Sequence, residues 1–372
     1  QDNNIKEYLR HPVMIFFLLD ISMSMLQLVN PNAMGISGWI VEFRFAIYKA
    51  AAIYVLLNFF NKKKHLTNFV LIMLILSTIA GIYGVFHKFF GLFGFEEAWL
   101  KASEVRYNLI VLFGIMRVWS YLAGPAEFGL LMAYTSVFAL VLIFSKGIAM
   151  RYKVYLGFAA IFMLLGMVYS GTRTAFVAFP AGVALFFLMT MNKIRTVVIS
   201  ILVILTFMVI YFGPFYNASI IRLRSAFEGS DDPSMNIRMV NRERIQPYMY
   251  KNILGGGPGT TGLAALDQFP GHPLAGFPPD SYYLRVGLEK GIIALIIIMG
   301  LFVAVIQSGI KKYFSCRDPV LKAYIGAFTC SFFAICLANY TQEGIGFRPM
   351  DILVLSTYVL VIKIKKLEGN KH

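Results

Sequence analysis

Residues 283–307 read YLRVGLEKGIIALIIIMGLFVAVIQ, a run long and apolar enough to cross a membrane. A transmembrane helix needs about 20 mainly apolar residues. Comparable runs recur along the whole chain and predict ten spanning helices, at approximately residues 12–29, 39–60, 66–86, 124–144, 154–170, 173–191, 195–212, 283–307, 320–338 and 350–364. The sequence therefore predicts an all-α polytopic membrane protein.

The composition agrees with this fold class. Of the 372 residues, 58% are hydrophobic and only 14% are charged, against about 45–50% and about 25% in a soluble domain. The positive-inside rule and anionic lipid headgroups explain the formal net charge of +15. Because no basic stretch interleaved with aromatic residues lies outside the predicted spans, we expect no nucleic-acid partner.

The cysteines and acidic residues give no sign of a cofactor. Cys316, Cys330 and Cys336 lie at or within predicted spans near the C-terminus. Their spacing is neither a disulfide framework nor a metal site, so we expect free, buried thiols. Since no Asp/His cluster suggests a metal either, we expect no metal and no cofactor.

Basic residues in the short loops predict the orientation. When ten spans are threaded, one side of the membrane receives the basic segments 62–64, 146–153, 193–195, 311–322 and 363–366. That side should be cytoplasmic, and both termini should lie there. The chain then divides into N-terminal helices (1–212), a long extracytoplasmic loop (213–282), and C-terminal helices with a cytoplasmic tail (283–372).

Segment 87–123 does not fit a full span. Residues 107–122 are apolar but short, and they follow the acidic residues Glu96, Glu97 and Glu104. This pattern favours an interfacial or re-entrant element on the extracytoplasmic side.

Arginines on the extracytoplasmic side are the first candidates for chemistry. Arg173 lies at the tight turn between two spans, where it could snorkel to lipid headgroups or bind a phosphate bidentately from a cavity. Arg238 and Arg242 are four residues apart, which places them on one helix face. Two cations on one face repel each other unless an anion joins them, although a solvated surface with Glu243 as partner would also explain them.

Two further features border the end of the loop. The turn Gly255-Gly256-Gly257-Pro258-Gly259 permits close backbone approach to a ligand, although a simple helix-ending turn explains it equally well. Asp280 precedes the next apolar helix. It could cap that helix, act as a base at the membrane surface, or do both.

Taken in order, these pieces resemble the O-antigen polymerase/ligase family of bacterial envelope glycosyltransferases. Arg117-Val-Trp-Ser-Tyr-Leu-Ala-Gly-Pro125 is similar to the family's Arg-x-x-Ser/Gly…Pro stretch, and Ser170-Gly-Thr-Arg173 to its Ser-x-Ser/Thr-Arg turn. Arg238 followed by Leu254-Gly-Gly-Gly257 resembles the arginine and Gly-x-Gly of its long external loop. Asp280-Ser-Tyr-Tyr-Leu…Glu289-Lys-Gly291 resembles its entry into the next helix.

The resemblance implies a glycosyltransferase-C-like fold with about 10–12 transmembrane helices. The donor would be a polyprenyl-diphosphate-linked glycan, and the acceptor a glycan or lipid A-core. Membrane lipids and a chain-length regulator are further expected partners. Arg173 and Arg238 would bind the diphosphate and Asp280 would orient or deprotonate the acceptor hydroxyl. The other expected substrate contacts are Arg242, Arg244, Arg117, Gly255, Gly257, His272 and Tyr283.

One departure affects the expected reaction. Ligases of this family typically carry histidine where this chain has Asp280, whereas polymerases of similar architecture often carry Asp. The resemblance therefore favours a polymerase of O-antigen or exopolysaccharide repeat units at the outer face of the inner membrane. His272 could replace the histidine spatially, which keeps the ligase alternative open. A lipid-linked oligosaccharide transporter and a non-enzymatic assembly subunit are further alternatives.

Overall fold

The chain is almost entirely α-helical in the computed structural model. The structure describes residues 5–112, 114–192, 211–214, 218–225, 227 and 233–369, together with residues 194, 198, 201, 205, 208 and 209.

The helices with described bounds are, in chain order, α1 (Ile5–Leu9), α2 (Pro12–Leu26), α3 (Ser37–Phe59), α4 (Lys63–Phe90), α5 (Gly94–Lys101), α6 (Glu104–Ile110), α7 (Pro125–Phe144), α8 (Met150–Ser170), α9 (Arg173–Thr190), α10 (Ala218–Ser225), α11 (Pro233–Lys251), α12 (Ala264–Gln268), α13 (Tyr282–Glu289), α14 (Gly291–Ser315), α15 (Pro319–Ala338) and α16 (Met350–Gly369). A 3-10 turn, Gln27–Val29, follows α2, and strands β1 (Val111–Leu112) and β2 (Ile115–Met116) form an antiparallel hairpin.

Seven helices in the described part of the chain are long and apolar enough to cross a membrane: α2 with its 3-10 turn, α4, α7, α8, α9, α14 and α15. The predicted all-α, multi-pass fold class is therefore confirmed. The predicted spans 39–60 and 350–364 correspond to helices α3 and α16, which carry too many charged residues to count among the seven. The predicted span 195–212 lies largely outside the described residues.

The predicted span 283–307 begins too early. Helix α13 ends at Glu289, and α14 begins at Gly291, which has a left-handed φ of +88°. A Cβ at Gly291 would collide with the carbonyl oxygen of Ile253. The close approach of these two backbones, which only glycine permits, separates the polar helix α13 from the spanning helix α14.

The chain forms two compact units. The first comprises Gln1–Leu66, Ser230–Cys316 and Asn339–His372, and the second comprises Thr67–Gly229 and Arg317–Ala338. In the first unit, α2 packs on α14 and α3 packs on α16. In the second, α7 packs against α8, α9 and α15. Helices α7 and α15 are each buried over most of their surface, so they form the centre of this unit. The three cysteines are buried thiols, as predicted.

Segment 87–123 contains only short elements after the end of α4. Helices α5 and α6 and the β1–β2 hairpin are each too short to cross a membrane. Large apolar side chains on this segment are exposed, including Phe90, Phe95 and Val105. The buried carboxylate of Glu96 accepts a hydrogen bond from the Phe93 N–H at 2.9 Å and so holds the start of α5. An interfacial position for this segment stays a prediction.

Candidate active site

The turn between α8 and α9 is tightly fixed within the second unit. Gly171 ends α8 in the left-handed conformation, with φ +59°, and Thr172 is the N-cap of α9. The Thr172 N–H donates to Ser170 Oγ at 3.2 Å, and Thr172 Oγ1 donates to the Pro125 carbonyl at 2.8 Å. These bonds attach the turn to the first residue of α7. They place Arg173, whose side chain is exposed, at the first position of α9.

Arg117 packs against the same turn. Its Nε donates to the Ser170 carbonyl at 3.0 Å and its Nη2 to Thr172 Oγ1 at 3.1 Å. Burial and, to a smaller extent, the charges of Arg222 and Arg173 lower the pKa of Arg117 to about 10, while the charge of Glu127 opposes this shift. Arg117 therefore stays protonated at neutral pH, although it lies near two other cations.

The third cation, Arg222, lies on α10. A Cβ at Gly171 would collide with Arg222 Nη1, so the guanidinium group occupies the space that this glycine leaves free. Burial also lowers the pKa of Arg222. Arg222 was not predicted as a site residue. The sequence signal for it is the pair of arginines, Arg222 and Arg224, near the start of the predicted extracytoplasmic loop.

Arg117, Arg173 and Arg222 together form an arginine cluster around one turn. Gathering like charges is unfavourable unless an anion neutralises them. Guanidinium groups bind phosphate oxygens through paired, charge-assisted hydrogen bonds. The N-terminus of α9, where Arg173 lies, adds a partial positive charge. The cluster is therefore suited to a phosphate or diphosphate group.

In the first unit, the buried carboxylate of Glu289 organises the glycine turn. It accepts hydrogen bonds from the Gly259 N–H at 3.0 Å and the Thr261 N–H at 3.3 Å, and from the Thr261 hydroxyl. The N–H of Gly257 donates to the backbone carbonyl of Glu289 at 2.9 Å. The turn is thus fixed to the C-terminal end of α13.

Gly255 and Gly257 mediate close packing. Both have left-handed φ angles, of +75° and +98°. A Cβ at Gly257 would lie 2.7 Å from the Cβ of Ala33, and one at Gly255 would lie 2.6 Å from the carbonyl oxygen of Glu289. Their N–H groups donate to carbonyl groups of the chain itself. Packing alone explains these glycines, and their predicted role in substrate binding stays a prediction.

Asp280 is half-buried and adopts a left-handed φ of +43°. Its predicted role as the helix N-cap is wrong. Ser281 is the N-cap of α13, and its Oγ accepts a hydrogen bond from the Leu284 N–H at 3.4 Å. A non-glycine residue in this conformation costs about 1–3 kcal/mol and is typical of functional sites.

Two acidic residues and one arginine interact beside Asp280. Arg285 Nε lies 3.4 Å from Glu289 Oε1, and Arg285 Nη1 pairs with the Glu343 carboxylate. Burial raises the pKa of Glu343; Arg285 opposes this shift, while the charges of Glu289 and Asp280 add to it. Glu343 was not predicted as a site residue, because it lies far from Asp280 in the sequence.

The other predicted site residues of the first unit are dispersed. Arg242 donates to the Tyr340 carbonyl, and its guanidinium lies 4.2 Å from the centre of the Tyr340 ring. Arg244 is exposed. Helix α11 includes Arg238, but its side chain lies outside the described part of the structure.

His272 and Tyr283 are held within the first unit. His272 is buried, and its Nδ1 accepts a hydrogen bond from the Leu274 N–H at 3.1 Å. Tyr283 is half-buried, with its ring centre 6.0 Å from that of Phe302. Over the residues that the structure describes, no three His, Cys, Asp or Glu side chains are grouped so as to hold a metal ion.

These features define a multi-pass membrane protein with charged groups clustered around the turns and loops between its helices. Residues 158–299 match the family model described as O-antigen ligase, which confirms the resemblance to the O-antigen polymerase/ligase family. The matched range contains Arg173, Arg222, Asp280 and Glu289. The family implies membrane glycosyltransferase activity of the O-antigen ligase or polymerase type. No curated protein matches the chain.

The packing of the glycine turn can be tested at Gly38, the second residue of α3. A Cβ at Gly38 would collide with the Pro258 carbonyl, so Gly38→Ala should lower the free energy of unfolding by about 1–3 kcal/mol. Thermal unfolding of the detergent-solubilised protein measures this. Gly157→Ala on α8 is the matched control because no heavy atom lies within 4 Å of its Cβ position. Equal unfolding temperatures for the two variants would contradict the packing described.

Proposed function

We propose that this protein is a membrane glycosyltransferase that polymerises polyprenyl-diphosphate-linked oligosaccharide repeat units of O-antigen or exopolysaccharide. The observation that carries the proposal is the arginine cluster formed by Arg117, Arg173 and Arg222. Three cations around one fixed turn, of which Arg173 and Arg222 lie within the matched family range, fit the diphosphate of a lipid-linked donor.

The proposed reaction exchanges one bond at the anomeric carbon of the donor glycan. An acceptor hydroxyl oxygen attacks that carbon, and the bond between the carbon and the diphosphate oxygen breaks. The polyprenyl diphosphate leaves with the bonding electrons, so its negative charge grows in the transition state. Attack on the face opposite the leaving group inverts the anomeric centre.

The arginine cluster would stabilise the leaving diphosphate. Fixed cations aimed at developing charge lower the barrier without reorganising during the reaction. Arg117 is already oriented by Ser170 and Thr172, and Arg222 is seated against Gly171. Guanidinium groups can neutralise a diphosphate without a divalent cation, so we propose a metal-independent reaction. Arg238, Arg242 and Arg244 remain proposed contacts for the donor.

Asp280 would accept the proton from the attacking hydroxyl. A positioned carboxylate can orient this hydroxyl and remove its proton as the new bond forms. The strained backbone at Asp280 and the neighbouring acidic group of Glu343 support a functional role. Gly255, Gly257, His272 and Tyr283 would border the glycan.

The second candidate function is O-antigen ligation, in which the glycan is transferred once to a lipid A-core acceptor. The description of the matched family favours it. Asp280 at the position where ligases typically carry histidine favours polymerisation. Both functions place the site on the extracytoplasmic face of the bacterial inner membrane, with both described ends of the chain in the cytoplasm. A chain-length regulator is a proposed partner of the polymerase.

The arginine cluster predicts a loss of activity on truncation. Arg117→Ala, Arg173→Ala and Arg222→Ala should each slow chain extension by about 10²–10³-fold, since each removes a group that stabilises the transition state. Glycan length in cells and protein level in the membrane are measured together. Arg151→Ala is the control because Arg151 is exposed and stacks on the neighbouring Tyr152. Normal glycan length in all three cluster variants would contradict the assignment.

Asp280→Asn tests the proposed base. Asparagine tolerates the left-handed conformation but does not accept the proton, so the transfer rate should fall by about 10²-fold or more. The comparison is Asp267→Asn, an exposed residue of the same loop, which should transfer at the normal rate. An unchanged rate in Asp280→Asn would leave this aspartate without a chemical role.

A further inference from the structure

An ionic cluster in the first unit, partly buried, has no role in the proposed reaction. It contains Asp20 of α2, Glu42 and Lys49 of α3, and Lys290, which lies between α13 and α14. Lys290 Nζ lies 2.5 Å from Glu42 Oε1 and 3.9 Å from Asp20 Oδ1, while Lys49 Nζ lies 3.4 Å from Asp20 Oδ2. The two cations and two anions thus form one continuous network.

Lys290 has the most extensive contacts of this network. Besides its two acidic partners, its Nζ donates to Ser24 Oγ at 3.0 Å, and Ser24 Oγ in turn donates to Glu42 Oε1 at 2.7 Å. Asp20 and Lys290 are both buried. Charged side chains packed among apolar helices are costly, so a paired set of them requires a functional or conformational explanation.

The position of Lys290 supplies that explanation. It directly follows Glu289, whose carboxylate accepts hydrogen bonds from the N–H of Gly259, in the glycine turn, and from the N–H of Thr261, just after the turn. It also ends the short helix that starts beside Asp280. A fixed Lys290 therefore limits the movement of both the glycine turn and α13.

The end of the first spanning helix contacts the same junction. Gln27 Nε2 donates to the carbonyls of Lys290 and Leu254, each at 3.2 Å. Asn30 Nδ2 donates to the carbonyls of Leu254 and Gly255, at 3.0 and 3.2 Å. Both amide side chains are buried. The Lys290 side chain thus contacts α2. The backbone carbonyls of Leu254, Gly255 and Lys290 are bound by Gln27 and Asn30, which lie just after α2.

We propose that Lys290 is a positioning residue that anchors the glycine turn and α13, and with them Asp280, to α2 and α3 through Glu42 and Asp20. The proposal rests on the proposed function for the role of Asp280, but the anchoring can be measured without any activity. Apolar side chains could fill the same volume. The ion pairs, unlike apolar contacts, form in one arrangement of the three segments.

Hydrogen exchange followed by mass spectrometry measures the anchoring. In Lys290→Met, the amides of residues 254–262 should exchange faster than in the wild type, because Gly256, Gly257, Gly259 and Thr261 donate to groups on residues 288 and 289. The amides of α7, in the second unit, serve as the internal reference and should be unchanged. Lys311→Met, an exposed lysine of α14, is the matched control.

The kinetic effect distinguishes positioning from general instability. Lys290→Met should lower kcat for chain extension by about 10- to 100-fold, as small misplacements of a reacting group do, with little change in the KM for the donor. Lys290→Arg keeps the charge and should recover most of the rate. Glu42→Gln/Lys290→Gln leaves neither of these two residues charged, so it tests the same anchoring if Lys290→Met does not reach the membrane.

Wild-type exchange at residues 254–262 in both Lys290→Met and the neutral pair would overturn the anchoring. Faster exchange with an unchanged kcat would overturn the positioning role. A wild-type protein that performs no glycosyl transfer would overturn the proposed function instead, while the exchange data would still decide the anchoring.

Discussion

The loop structure of the first unit depends on the hydrogen bonds that the Glu289 carboxylate accepts. It is buried and receives hydrogen bonds from two backbone N–H groups of the glycine turn and from the Thr261 hydroxyl. A buried carboxylate without such donors would be strongly unfavourable. The turn must therefore close over Glu289 for the helix end to be stable, and the glycines let the backbone come close enough to do so. Arg285 then connects this carboxylate to Glu343.

In the second unit, the charged groups around the α8–α9 turn are cations. The hydrogen bonds of Arg117 to the α8–α9 turn orient its guanidinium without neutralising it. Arg222 and Arg173 add like charges, and the partial burial of Arg117 and Arg222 strengthens the repulsion. In the proposed reaction, an anion bound at this cluster would reduce this repulsion. A diphosphate, whose charge increases as it leaves, would gain more from such a cluster in the transition state than in the ground state.

Features that depend on residues close together in the sequence could be predicted from it. Long apolar runs located the spanning helices because hydropathy is a property of a continuous segment, and the Ser170–Arg173 motif located the turn that anchors the arginine cluster. Features that depend on distant contacts were missed. The break between α13 and α14 results from the contact of Gly291 with Ile253. The Arg222 guanidinium occupies the space left by the missing side chain of Gly171. The error of one residue at the cap of α13 arose because Asp and Ser cap helices equally well, while the left-handed φ of Asp280 is not evident from its residue type.

The most direct test of the account is glycosyl transfer by the purified protein supplied with a polyprenyl-diphosphate-linked repeat unit, with and without a lipid A-core acceptor. The account predicts a ladder of extended glycans without the core acceptor, and the loss of this ladder in Arg222→Ala. A single transfer that occurs only with the core acceptor would contradict polymerisation and identify a ligase. Release of no polyprenyl diphosphate under either condition would contradict the glycosyltransferase assignment itself.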